Sequence, residues 1–155
     1  MIEQLPKNSG AYVLFFNLYE SIRLDIATLG FPLAAPGAYA YCGSARGPGG
    51  LRARIARHLR ADKPLHWHID RLTATGRPTA IAYTTESSEC ALLDRLLAGA
   101  NASVPIPGFG SSDCRRCPSH LARIEMTPEA ALQLPCVTWG GEIAVVSVNA
   151  LMGRQ

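Results

Sequence analysis

No acidic residue falls between Asp25 and Asp62, and no apolar run in the 155-residue chain approaches the length needed to cross a bilayer. The second absence argues against a helical membrane span and a membrane partner. The first leaves Arg46, Arg52, Arg54, Arg57 and Arg60 unopposed along the chain, a one-signed stretch that attracts polyanions, nucleic acid first among them. The net charge of +3 is too small to carry that conclusion by itself. Also missing is a charged N-terminal segment followed by an apolar block, so no secretion signal is expected. Five cysteines in a chain of this kind do not make a disulfide framework, and a reducing, cytoplasmic setting is expected. There is no internal repeat and no long linker, while 48% hydrophobic and 17% charged residues are globular values. A single domain with a real core follows.

The organising stretch is 37–60. It reads as a strand over Ala38–Cys42, a glycine-rich turn over Gly43–Gly50, and a basic helix from Leu51 to about Arg60. Glycine lets backbone approach a ligand closely and arginine supplies forked donors, so this unit suits a phosphate-bearing ligand. An ordinary strand-to-helix connection with a solvated outer face is the competing reading. At about 100° per residue, Leu51, Ile55 and Leu59 form the apolar stripe. Arg54 and His58 then share one edge of that stripe, looking along the surface or into a cleft, while Arg52, Arg57 and Arg60 point outward.

Around this unit the pattern predicts strands at Tyr12–Tyr19 and Ser21–Ile26, paired by a short turn. A loop at 31–37 then completes a three-strand meander. A helix over about 65–75, with His66, Trp67 and His68 at its start, ends at Gly76; a strand follows at Thr79–Thr84. Ser87 or Ser88 caps a helix running to about Ala98. Residues 99–120 are a long irregular segment, the kind of loop that carries function or is disordered. A strand at Leu121–Met126, a short helix from Thr127 to Leu134 and a hairpin over 137–148 through Gly140-Gly141 close the chain.

Glu89 is the most informative single residue. Leu92, Leu93, Leu96 and Leu97 mark the buried face of its helix, and the helical period sets Glu89 in the middle of that face. An inward carboxylate costs several kcal/mol unless it is paired or binds a metal. Its place in the first helical turn, where the macrodipole favours negative charge, is the simpler alternative. Tyr12, Tyr39 and Tyr41 read equally as sheet aromatics; spacing alone makes none of them catalytic.

Taken together, Gly10-Ala11-Tyr12, then Tyr41-Cys42-Gly43-Ser44-Ala45, Arg54 and His58 on a helix, and Glu89 opening a later helix resemble the GIY-YIG nuclease superfamily. Within it, His66-Trp67-His68-Ile69-Asp70, Gly108-Phe109-Gly110-Ser111-Ser112-Asp113-Cys114 and Cys117-Pro118-Ser119-His120-Leu121 resemble the small stand-alone Uri-type endonucleases. The resemblance spans about residues 9–125. It implies an α/β (α+β) domain with a central, mainly antiparallel mixed sheet flanked by helices. It also implies a metal-dependent endonuclease that hydrolyses phosphodiesters with Mg²⁺ or Mn²⁺. By position, Glu89 would hold the metal and Arg54 would stabilise charge on the phosphoryl group. Tyr41 would orient or deprotonate the attacking water, directly or through Tyr12. His58 and His66 or His68 would assist in proton transfer, and Gly43 would let backbone approach. Arg46, Arg52, Arg57 and Arg60 join Gly43, His66 and His68 as substrate-binding candidates. A nucleic-acid-binding module with the same fold and little turnover is the alternative.

Some positions depart from that pattern. Ala11 and Cys42 replace isoleucines, the gap between the two motifs is long, and Gly47-Pro48-Gly49-Gly50 leaves Arg52 a rival to Arg54. A polar amide common late in relatives has only candidates here: Asn101, Ser111, Ser112 and Asp113. The nuclease-like unit is placed at 1–126, with 127–155 an extension packed on it. Separately, Cys114, Cys117 and His120 could be ligands of a structural Zn²⁺ completed by Cys90 or Cys136, free cysteines being the alternative.

Overall fold

Strand Gly10–Leu18 (β1) is apolar at nearly every position because both of its faces are covered. In the computed structural model, which describes residues 1–111, 114–134, 137 and 143–153, a sheet lies between two helical layers. After β1 come short strands Ile22–Arg23 (β2) and Leu33–Ala34 (β3), then Gly37–Ala45 (β4) and helix Gly50–Leu59 (α1). Helix Asp70–Thr73 (α2), strand Pro78–Thr84 (β5) and helix Glu89–Gly99 (α3) follow. The rest comprises Ala102–Ser103 (β6), Leu121–Ile124 (β7), Pro128–Ala131 (α4), Ala144–Ser147 (β8) and Val148–Leu151 (α5). The main sheet runs β6-β7-β4-β1-β5-β8, and each of its pairings is antiparallel. The fold is α+β.

Period two divides β1 between the layers. Tyr12, Leu14 and Phe16 join Leu51 and Ile55 of α1 and Leu72 of α2 on one face. Ala11, Val13 and Phe15 meet Leu92, Leu93 and Leu96 of α3 on the other. Helix caps follow local chemistry: Ser88 accepts the Ala91 N–H at the start of α3, and Thr127 accepts the Ala130 N–H at the start of α4.

Three local expectations change. The segment 21–26 does not pair with β1, because β4 and β5 occupy both of its edges. Only Ile22–Arg23 forms a strand there, and it pairs with β3, inside the stretch expected to be a loop, as a separate ribbon. The helix expected from Leu65 begins at Asp70, because the Asp70 carboxylate takes the N–H groups of His66 and Trp67 and holds them in a turn. In the expected C-terminal hairpin, residues 138–142 lie outside the described residues. Its second arm, β8, pairs along the free edge of β5.

Candidate active site

Register creates the site. Tyr12 of β1 stands opposite Gly43 of β4, and Leu14 stands opposite Tyr41, which brings Tyr12 and Tyr41 to one face as diagonal neighbours. Gly43 is required sterically: a Cβ there would collide with the phenol ring of Tyr12. Gly110 does the same for Tyr41, since a Cβ would lie 2.8 Å from its Cε2, and φ of 68° already favours glycine.

Over this tyrosine pair lies a cleft of about 380 Å³. Tyr12, Tyr41, Arg54, His58 and Glu89 all line it. Gly43, Arg46, His66 and His68 do so as well, whereas Arg52, Arg57 and Arg60 do not. The Tyr12 hydroxyl lies 2.7 Å from His58 Nε2. Of the two directions open to His58 at the edge of the α1 stripe, the structure takes the cleft, where the ring is 1% exposed. The reason is aromatic packing: its ring contacts Tyr12, Tyr41 and Trp67. Burial, with the Lys63 charge next, lowers the His58 pKa to about 3, so the ring is neutral. Burial raises the pKa of both Tyr12 and Tyr41, and the nearby Arg54 charge only partly offsets it. Both phenols are protonated at neutral pH. With a donor-only guanidinium beside it, Tyr12 directs its hydrogen to His58 Nε2, leaving the imidazole proton on Nδ1, which is buried without a partner.

Arg54 is held from two sides. Its Nη1 donates to the Ser44 carbonyl at 3.2 Å, and its guanidinium sits 4.4 Å from the Trp67 ring centroid. Arg57, expected to point outward, is turned inward: it lies 4.1 Å from the same ring and donates both Nη atoms to Asp70, at 2.9 and 3.0 Å. Asp70 also accepts the His66 and Trp67 N–H groups. Burial opposes its charge, but these donors win and bring its pKa down to about 2. Arg52 is likewise committed to the fold, donating to the Leu5 and Glu3 carbonyls, which removes it as a rival to Arg54 in the cleft. Arg60 is exposed at the end of α1. Gly110 N–H donates to His68 Nδ1 at 2.9 Å, so a neutral His68 carries its proton on Nε2. Burial lowers the His68 pKa and favours that neutral form.

Glu89 is the first residue of α3, with its side chain 16% exposed. One carboxylate oxygen, Oε2, is buried without a hydrogen-bond partner, and Arg46 Nη2 is 3.9 Å from it. No other carboxylate lines the cleft among the described residues.

In the wall of the cleft, which Cys114 and His120 help to line, Cys90, Cys114, Cys117 and His120 form a Cys₃His cluster that could hold a metal ion, their ligand atoms all within 4.8 Å of one another. Cys90 supplies the fourth position; Cys136 lies outside the described residues, as do Ser112 and Asp113. Trp67 and Asp70 appear in the sequence only as part of a motif, and their structural roles are not legible there. The hint is an aspartate just ahead of a helical run, but its pairing with Arg57 is long-range.

Neither the curated proteins nor the solved structures contain a match to the chain. A family model described as a domain of unknown function, DUF123, matches residues 11–137, from β1 through every residue that lines the cleft. The chain belongs to the DUF123 family.

Proposed function

We propose that the protein is a metal-dependent endonuclease of GIY-YIG type that hydrolyses phosphodiester bonds in nucleic acid, with DNA the first candidate. The observation that carries this reading is the convergence of Tyr12, Tyr41, Arg54, His58 and Glu89, from four separate elements, on one cleft. The order of the motifs along the chain supports it independently.

A divalent cation fits the carboxylate of Glu89. A buried carboxylate oxygen in the cleft lining, with no hydrogen bond and only the exposed Arg46 guanidinium at 3.9 Å, is one that Mg²⁺ or Mn²⁺ would satisfy, and a single carboxylate plus substrate phosphate is an ordinary Mg²⁺ donor set. When bound, the ion supplies Lewis-acid stabilisation of charge on a phosphoryl oxygen. The protein's own groups do the rest. Arg54, fixed by Ser44 and Trp67, presents a planar fork to the phosphoryl oxygens as negative charge builds. Tyr41 stays protonated and orients the attacking water. Tyr12 takes a proton from that water as it passes its own to His58 Nε2. Burial, and after it the Lys63 and Arg54 charges, disfavours protonated His58; the substrate's negative charge offsets the charge part of that cost. His68 donates from Nε2, and Arg46 with exposed His66 draws the backbone to the cleft mouth.

The test is incubation of the wild type with Mg²⁺ or Mn²⁺ and single-stranded, duplex and branched DNA and RNA, beside Glu89→Gln. Cleavage is expected in the wild type, with a loss of roughly 100-fold or more in the variant. Undiminished cleavage by Glu89→Gln removes the metal assignment. Salt-sensitive binding without cleavage of any substrate leaves a binding module.

A further inference from the structure

The Cys₃His cluster is not needed for the chemistry above, yet it adjoins it. Cys90 is the second residue of α3, directly after Glu89; Cys114 and Cys117 sit in the long connection between β6 and β7; His120 precedes β7. We propose that these four side chains bind a structural Zn²⁺ that clamps this connection to the first turn of α3, fixing the wall of the cleft on which Glu89 stands.

The ligand chemistry selects the ion. Three sulfurs and one imidazole, with no carboxylate among them, are a soft set that suits zinc and disfavours Mg²⁺ or Ca²⁺. A tetrahedral zinc with bonds of roughly 2.0–2.3 Å needs its ligands roughly 3.5–3.8 Å apart. Cys90 Sγ lies 3.5 Å from Cys114 Sγ and 4.0 Å from His120 Nε2, so only small side-chain movements separate the cluster from that geometry. The Cys117 N–H points at Cys114 Sγ at 3.4 Å, a donor that stabilises a coordinated thiolate. Four protein ligands make a closed site, the arrangement of structural rather than catalytic zinc. A Cys-x₂-Cys pair alone is weak evidence; the fold supplies Cys90 from 24 residues upstream of Cys114 to complete it.

The position of the cluster explains what the ion would do. Among the described residues of the 104–120 segment there is no strand or helix, yet the segment packs Phe109 against Tyr41 and sends the Gly110 N–H to His68. At its end, the His120 carbonyl accepts the Cys42 N–H of β4. An ion bound by Cys90 and this segment therefore links α3, the connection and β4 around one side of the cleft. The bond count is simple: three thiols release three protons, and Zn²⁺ with three thiolates and neutral imidazole carries a net −1.

Protein expressed with zinc and purified without chelator is measured by elemental analysis. Wild type is expected to carry one zinc per chain, His120→Cys to retain it, and Cys114→Ser and Cys117→Ser to lose most of it. Replacement by Co²⁺ should give the visible spectrum of a tetrahedral thiolate site. Chelation should lower Tm and raise hydrogen exchange in the first turn of α3 and in 106–120, with little change in α1. Wild type with well under one zinc per chain, or with a Cys90–Cys114 disulfide in place of the metal, overturns the site. Zinc that stays in Cys117→Ser overturns the ligand set. Full zinc with unchanged exchange around Glu89 after its removal overturns the clamp. The stoichiometry of the wild type decides the matter even if the serine variants fail to fold, and none of these measurements requires nuclease activity.

Discussion

Replacing Asp70 by asparagine keeps the shape of the side chain and removes its charge. The native carboxylate is 0% exposed and takes two bonds from Arg57 and one each from the His66 and Trp67 amides. Burial alone would push its pKa up; the guanidinium and the two amides instead bring it from 3.8 to about 2. That difference amounts to about 2 kcal/mol of stability. The loss in Asp70→Asn should be larger, about 3 kcal/mol, because Arg57 is left half-desolvated with an amide hydrogen facing it. In a domain of this size that is roughly 6–12 °C in Tm. The sign with pH follows directly. The unfolded chain protonates this group near 3.8 and the folded chain only near 2, so the contribution is complete above the first value and fades as pH falls through the second. Urea denaturation of wild type, Asp70→Asn, Arg57→Gln and the double variant at neutral pH and near pH 2 measures both effects. The coupling energy should exceed about 1.5 kcal/mol at neutral pH and shrink in acid. A loss under about 1 kcal/mol, or one that is the same at both pH values, refutes the assignment of Asp70 as the anchor of the Trp67 platform.

His58 gives a second, separate pH window: its ring is neutral in the fold down to about pH 3, whereas the unfolded chain protonates it near 6.5, so stability is full above 6.5 and declines below. By about pH 4 the decline should reach about 3 kcal/mol, and denaturation curves of His58→Phe should be much flatter over that range. Gly43→Ala drives a methyl into the Tyr12 ring and should cost about 1–3 kcal/mol in denaturation, while separating Tyr12 from His58. Mn²⁺ binding followed by calorimetry should weaken at least tenfold in Glu89→Gln, and Arg46→Ala should strengthen it in the wild-type background by removing a competing cation 3.9 Å away.

Much of the fold is local chemistry and could be read from the chain. β1 and β5 announce themselves by β-branched and aromatic residues, β4 by tyrosines at period two between glycine-containing turns, and α3 by Ser88 ahead of a 3.6-residue leucine period. The inward set of Glu89 followed from that same period, since the leucines that define the buried face also define what lies among them. The 21–26 segment does not join the sheet beside β1 because alternation specifies an extended segment without specifying its partner; only the packed sheet reveals that both edges of β1 are already taken. The helix at 65–75 is shorter than its residues suggest because propensity does not register the Asp70 carboxylate, which takes the His66 and Trp67 amides into a turn.

Sequence alone therefore determined the elements, the basic stretch and the identity of the tyrosines, arginine, histidine and carboxylate that carry the functional proposal. Tertiary structure decided which of them meet. Arg52 and Arg54 are two residues apart on α1, but one is spent on the carbonyls of Leu5 and Glu3 and the other faces the cleft. His58 and Arg57 are neighbours, yet one lies beneath Tyr12 and the other on Asp70. The physical reason is that a helical period assigns a residue its direction, whereas the partner waiting in that direction comes from strands and loops tens of residues away.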